Sequence, residues 1–548
     1  MSNKSNTILK YARENISPMW FILFVLFIYV VVRLIAWNNT VLLEGVDSLG
    51  YIRRIKLFLT FDLDDIINMS PDFTPFYLFF SALFALPGLP VETAARLCSF
   101  AFSILLFLSV WGIGKRIESE ENRFATILGL FLIAVSPALI SLSFSVLSEP
   151  SYIATVYLGL WVFWSQYKNP TLGKAAILGL IFGLSFLNRL EGLIFLAVIP
   201  FFQLVHYVFS TERNYNFKKT LLWTGIFAGV YLLVIAPQVI RVSAIVGDFA
   251  LNGRQIWSVA LSNNINLYGL DFSPSEVNIN YMKRNPEAWK SIVSDFELKK
   301  YVKLFTSNYR ILSNDKFGEL IGPILLAFFG IGFLSLLSSQ RYFDLFFIIT
   351  FISASLVPPM LHNVVIRHIA IIAPIILLVA GFGIAFLSSV ITKSMKKRRY
   401  GREITSMALL VLITVSLLPF LWTSVINTKQ ANREYGPIEL AEPTNIINKI
   451  KSDEPGRKPK IAAQYGFLAY FVDAEAYYLP RVSMDKFLVW AKLNKVDFLY
   501  INHRLMQPYP FLAEYIENGL PDNYTKLYTG ADAHGNTTEL YQILQPEI

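Results

Sequence analysis

The sequence predicts a polytopic α-helical membrane protein with a C-terminal α/β domain outside the membrane, and three observations predict it. Of 548 residues, 54% are hydrophobic and only 16% charged, against about 25% charged in an ordinary soluble protein. Apolar runs of membrane-spanning length recur between Met19 and Val425. Beyond Val425 the composition becomes that of a soluble domain, with alternating strand-like and amphipathic segments.

The first run, Met19–Trp37, follows a basic N-terminus. At about 1.5 Å per residue it nearly crosses a hydrocarbon core of about 30 Å. It is long for the apolar part of a signal peptide and no small-x-small cleavage site follows, so it reads as an uncleaved first helix. Further runs are Val91–Ile113, Phe124–Leu142, Pro150–Ser165, Ala175–Leu187, Leu190–Phe209, Thr220–Pro237, Leu320–Leu337, Leu345–Pro358, Ile369–Ile391 and Ile404–Val425. Together they make eleven expected spans, which places the two termini on opposite sides.

Loop charge tests that count. With a cytoplasmic N-terminus, the inside segments carry Lys4, Lys10, Arg13, Lys115, Arg116, Arg123, Lys168, Lys174, Arg213, Lys218, Lys219, Arg341, Lys393, Lys396, Lys397, Arg398, Arg399 and Arg402. The short outside segments carry Arg53, Arg54, Lys56, Arg96, Arg189 and Arg367. A bias of 18 to 6 is the pattern expected of a multi-pass protein in the cell membrane, with its C-terminal domain extracytoplasmic. It also explains the net charge of +9 without a nucleic-acid partner. Cys98 is the only cysteine, which excludes an intrachain disulfide.

The expected organisation is a transmembrane domain over 1–425 and an extracytoplasmic α/β domain over 426–548. Two outside segments are long. Asn38–Pro90 contains "SPDFTPFYLFFSALFALPG", short and proline-opened, which fits a helix lying in the interface rather than a span. Arg241–Glu319 is polar and aromatic and reads as a loop over the outer mouth. In the tail, "KIAAQYG" and "DFLYIN" read as strands and "MDKFLVWAKLNK" as an amphipathic helix.

Ionisable residues that abut apolar runs on the outside are the candidate site. They are Glu44 and Asp47 in "LEGVDSLGYIRR", with Tyr51 beside them; Glu149 in "VLSEPSY"; Arg189 and Glu191 in "FLNRLEG"; and Arg367 and His368 in "VVIRH". A charge at membrane depth costs a few kcal/mol or more, so such groups usually face a cavity and carry function. Acids and arginines on one face could bind an anionic lipid headgroup and supply a general base. Each residue also has a structural alternative. Asp47 could cap a helix from Ser48, Glu149 could favour the helix dipole before Pro150, and Arg189 could pair only with Glu191. Arg367 could snorkel and His368 could pack. "FDLDDI" (Asp62, Asp64, Asp65) resembles a metal-binding acidic cluster but reads better as a solvated loop. The five histidines lack zinc-ligand spacing, and no phosphate-binding glycine loop is present.

These segments, in this order, resemble the membrane-embedded GT-C glycosyltransferases, in particular the family-39-like group related to protein O-mannosyltransferases and the lipid A aminoarabinose transferase. "GVDSLGY" is similar to the family's Asp-Glu…Tyr loop, with Ser48 in place of the second acid. "TPFYLFFSALFALPG" and "VETAARLCSFAF" resemble its proline-led juxtamembrane helix and following span, with Thr74 lacking the usual basic residue. "LSEPSY", "GLSFLNRLEG" and "IRHIAIIAPIILLVAG" resemble its later outside segments, with departures at Asn188 and Leu190. The soluble tail also resembles the group's C-terminal domain. The resemblance covers nearly the whole chain.

The resemblance implies a polyprenyl-phosphate sugar donor and a glycan, lipid or protein acceptor. Asp47 is then the expected general base in an inverting transfer, Arg189 and Arg367 the phosphate contacts, and His368 a further one. Glu149 and Glu191 would orient sugar or acceptor, with Glu44 and Tyr51 binding substrate. No cofactor is expected, and a required divalent metal is not favoured because Glu149 lacks a second acid beside it. The rival reading is a transporter or flippase of lipid-linked sugars, which predicts inverted repeats and broken helices at mid-membrane; neither is evident in the sequence.

Overall fold

The computed structural model describes residues 18–39, 46–69, 73–118, 124–209, 216–247, 249–251, 298–361, 364–394, 438–453, 457–480, 482–503, 509–532 and 535–544. Glu44, the expected span Ile404–Val425 and most of Arg241–Glu319 lie outside these residues.

The longer helices of the described bundle position the site. They are α1 (Pro18–Asn39), α2 (Val46–Thr60), α3 (Pro75–Ala85), α4 (Val91–Ile117), α5 (Ala125–Val135), α6 (Glu149–Trp164), α7 (Leu172–Asn188), α8 (Phe195–Phe209), α9 (Phe217–Val246), α10 (Leu298–Ile311), α11 (Pro323–Ser338) and α12 (Tyr342–Met360). A further helix, α13 (Ala373–Ser394), follows a helical turn at Ile366–Ile369 and a tight 3-10 turn. Among the described residues six helical segments are long and apolar enough to cross a membrane; a seventh counts if the bent pair meeting at 93° before Pro323 is one span.

Several expected bounds move. The run Phe124–Leu142 breaks at Ser136, where Pro137 starts a separate short helix (Pro137–Leu142). α9 continues through Pro237 to Val246, so Arg241 is helical rather than the start of a loop. The end of that segment, from Leu298, is helical as well. In the first outside segment α3 has 11 residues, about 16 Å, too short to span and as expected of an interfacial helix. Asp62 caps the one-turn helix Leu63–Ile67, its carboxylate accepting from the Asp64 and Asp65 amides.

α13 is the centre of the bundle: 94% of its apolar window is buried. Glycine makes that possible. A Cβ at Gly332 of α11 would overlap the Val379 carbonyl, and one at Gly383 would overlap the Phe328 carbonyl. Gly381 packs equally close to Gly129 of α5. Such backbone approaches hold membrane helices together where no hydrophobic drive is available.

The C-terminal domain carries a five-stranded sheet in the order β2-β1-β3-β5-β4. Its strands are β1 (Lys460–Ala463), β2 (Glu475–Tyr478), β3 (Phe498–Asn502), β4 (Tyr524–Ala531) and β5 (Thr537–Ile543). β1 pairs parallel with β2 and β3; β5 pairs antiparallel with β3 and β4. The two-residue period of β3 sends Leu499 and Ile501 to one core and Phe498 and Tyr500 to the other. Both strands and the helix read from the tail are present, Met484–Leu493 being the helix.

This domain rests on α2. Phe467 and Tyr470 join the apolar cluster of Tyr51, Ile52 and Ile55, and the Lys56 ammonium lies 4.9 Å over the Tyr470 ring.

Candidate active site

Asp47 lies in the first turn of α2, which opens at Val46 rather than Ser48. What fixes that turn is Tyr51, one turn further on. Its ring is buried edge-on between Phe73 and Tyr77, with centroids at 4.9 and 5.4 Å. Its hydroxyl lies 2.8 Å from the Ser148 hydroxyl. Tyr51 is therefore a buried strut that braces the turn carrying Asp47.

Ser148 precedes Glu149, the first residue of α6, and Pro150 supplies the preset φ that starts the helix. The Tyr51–Ser148 bond thus ties α2 to the N-terminal end of α6. Glu149 is 4% exposed there, beside a helix terminus that favours negative charge.

Arg189 reaches the same point because α7 stops at Asn188. Asn188 is buried, and the Ser151 hydroxyl donates to its amide oxygen at 2.5 Å. The Thr74 hydroxyl donates to its carbonyl at 2.5 Å. Arg189 then runs extended (φ −154°, ψ 143°) into a 3-10 turn. That turn packs so closely on α7 that a Cβ at Gly192 would meet the Phe186 amide, and the Tyr231 hydroxyl donates to the Gly192 carbonyl at 3.0 Å.

Arg189 is 5% exposed and grips two carboxylates: Glu149 at 2.6 Å and Glu191 at 2.7 Å. The local Arg189–Glu191 pair therefore exists, and Glu149 extends it.

Arg367 completes the row. Tyr157 of α6 holds the irregular start of α13, donating to the Ile371 carbonyl at 2.8 Å and accepting from the Ile375 amide at 2.9 Å. The turn before it aims Arg367 at Asp47, 2.6 Å away, and at Glu149, 3.7 Å away. The result is an alternating row, Asp47–Arg367–Glu149–Arg189–Glu191, assembled from four separate stretches of chain. A narrow cavity runs beside it, lined by Glu149, Tyr152, Arg189, Glu191, Arg367 and His368. Asp47 and Arg367 are about 40% open to solvent (42% and 38%), whereas Glu149 and Arg189 are nearly closed off.

Charge at the ends of apolar runs found Asp47, Glu149, Arg189, Glu191, Arg367 and His368. It could not find Ser148, Asn188, Thr74 or Tyr152, which are neutral. Tyr152 alone had a positional signal, one helical turn after Glu149. Among the described residues no three His, Cys, Asp or Glu side chains converge in the manner of a metal site.

The family model described as dolichyl-phosphate-mannose-protein mannosyltransferase matches residues 72–241. No curated protein matches the sequence. Solved structures do match the fold. ArnT from Cupriavidus metallidurans bound to undecaprenyl phosphate has a TM-score of 0.54 and 12% identity, covering 96% of this chain and 98% of that one. The archaeal oligosaccharyltransferase AglB from Archaeoglobus fulgidus, in complex with an inhibitory peptide and a dolichol-phosphate, has a TM-score of 0.54 and 13% identity, covering 96% and 75%. The same A. fulgidus enzyme in complex with Zn and sulfate gives 0.56 and 13%, covering 93% and 72%.

The chain has the GT-C fold. It is a multi-pass membrane protein. The family match spans the stretch that supplies Glu149, Arg189 and Glu191; Asp47 and Arg367 lie on either side of it.

Proposed function

We propose that the protein transfers a sugar, with inversion, from a polyprenyl-phosphate donor to an acceptor hydroxyl at the outer membrane face. The observation that carries this reading is the pairing of Asp47 with Arg367 across 320 residues of sequence, at the open end of the charged row. Phosphate binding is a natural task for a half-exposed guanidinium, which matches two phosphate oxygens at once. When donor phosphate takes the Arg367 fork, Asp47 exchanges its partner for the acceptor hydroxyl. Its carboxylate accepts the hydroxyl proton as the acceptor oxygen bonds to the anomeric carbon.

The bond from that carbon to the phosphate oxygen breaks on the opposite side. Polyprenyl phosphate leaves as a stable anion needing charge stabilisation from Arg367 and, across Glu149, from Arg189. His368 and Tyr152 line the cavity where sugar hydroxyls would sit. The dolichol-phosphate and undecaprenyl phosphate bound by the two structural neighbours support a lipid-linked donor for this chain. No metal is required in this scheme, since arginines occupy the places next to Glu149. The N-terminus is proposed to be cytoplasmic and the C-terminal domain extracytoplasmic.

Purified protein given radiolabelled polyprenyl-phosphate sugar tests the reading. Release of polyprenyl phosphate that requires acceptor supports it. Movement of intact donor between leaflets without cleavage would overturn it in favour of a flippase.

A further inference from the structure

The three segments that build the candidate active site also build a second, larger cavity at their other ends. α6 starts at Glu149 and ends at Trp164, about 24 Å away by helical rise. The segment from Glu191 ends at His206 and Phe209, and α12 runs from Asp344 to Pro359 beside the first cavity. At the far ends lies a cavity of about 720 Å³, lined by residues including Lys168, Phe201, His206, Phe209, Arg341 and Phe346. By the loop-charge bias this is the cytoplasmic face.

Its two halves differ in chemistry. Phe201 and Phe209 are 47% and 79% exposed, forming an aromatic wall open to the side. The head is polar and built. Gln340, in the left-handed region at φ 57°, turns the chain so that the Arg341 amide donates to the Leu336 carbonyl at 3.0 Å. The Arg341 guanidinium lies 3.5 Å from the buried Asp344 carboxylate. Trp164 donates to that carboxylate at 2.8 Å. The His206 ring is held edge-on between Tyr167 and Phe343, both centroids at 4.9 Å. Lys168 stands at the exposed rim.

We propose that this cavity binds one anionic phospholipid of the adjacent leaflet, with its phosphate at Lys168 and Arg341 and an acyl chain along Phe201, Phe209 and Phe346. A basic head above an apolar, laterally open wall is the shape of a lipid, and basic pockets between spans on the cytoplasmic side attract anionic headgroups. Asp344 serves as the anchor that aims Arg341. A volume of this size accommodates a headgroup and part of one chain. The site is separate from the sugar-transfer reading and does not depend on it.

Native mass spectrometry of the full chain, purified in detergent and offered phosphatidylglycerol and phosphatidylcholine together, tests the assignment. One phosphatidylglycerol should persist under activation that strips phosphatidylcholine, and millimolar inorganic phosphate should not displace it. Arg341→Ala should cut retention about fivefold. Because Arg341 touches a buried acid, Lys168→Glu on the exposed rim is the second variant and should do the same in a protein of unchanged melting temperature. Equal retention of both lipids, displacement by free phosphate, full retention in Lys168→Glu, or no bound lipid would each overturn it.

Discussion

Two arginines meet the same carboxylate, Glu149, in contrasting surroundings. Arg189 and Glu149 are both about 95% closed to solvent, and Glu191 takes the other side of the same guanidinium. Arg367 and Asp47, a few ångströms along the row, are each about 40% open. A buried ion pair is costly to break and exchanges partners with difficulty, because either half left alone is a charge without water. An open pair is worth little in stability and can trade one anion for another. The first pair therefore fixes the shape of the site, and in the proposed reaction the second is where donor phosphate and acceptor hydroxyl would enter.

Substitutions can break this division of labour. Asp47→Asn should lose at least about a thousandfold in sugar transfer while keeping its yield and melting temperature, the scale of a lost general base; turnover within tenfold of the parent would remove the proposed base. Arg189→Ala should cost about 3–5 kcal/mol of stability, visible as a lowered melting temperature and aggregation on size exclusion. The triple change Arg189→Met with Glu149→Gln and Glu191→Gln, which leaves neither carboxylate unpaired, should recover most of that stability and none of the activity. Arg367→Lys keeps the charge but not the two-pronged geometry. It should raise the donor KM about tenfold at constant melting temperature; an unchanged KM would leave Arg189 as the phosphate contact.

The smallest effect concerns Glu539, a buried carboxylate of the C-terminal domain. Burial pushes its pKa up, but hydrogen bonds from Lys526, Tyr515 and His503 outweigh that and hold it at about 2, below the ordinary 4.5. A pKa lowered on folding gives stability that is complete above about 4.5 and lost as pH falls from there toward 2. Glu539→Gln should flatten acid unfolding of the domain over that window and leave transfer at neutral pH unchanged. An acid limb identical to the parent's would assign the stabilisation elsewhere.

The charged part of the site was legible because a membrane makes charge conspicuous. Asp47, Glu149, Arg189, Glu191 and Arg367 each interrupt or border an apolar run, and the bias of loop charge put them on one face. Asn188 and Ser148 were silent for the complementary reason: neutral groups carry no comparable penalty, and their importance depends on partners 37 and 97 residues away. Tyr51 was ambiguous in the sequence because a tyrosine four residues from an acid looks alike whether its ring packs or its hydroxyl meets substrate. Helix ends were hardest near proline. Pro137 ends one helix and begins the next, whereas Pro237 lies within an unbroken one. The β4–β5 hairpin escaped notice since β4 has only one fully buried side chain and shows little alternation.

α2 touches both worlds of this protein. One flank carries Asp47 against the bundle; the other carries Lys56 beneath Tyr470 of the soluble domain. A rod of 15 residues clasped at both ends in this way is a lever, so a tilt of the C-terminal domain would be carried along it to the Asp47–Arg367 pair.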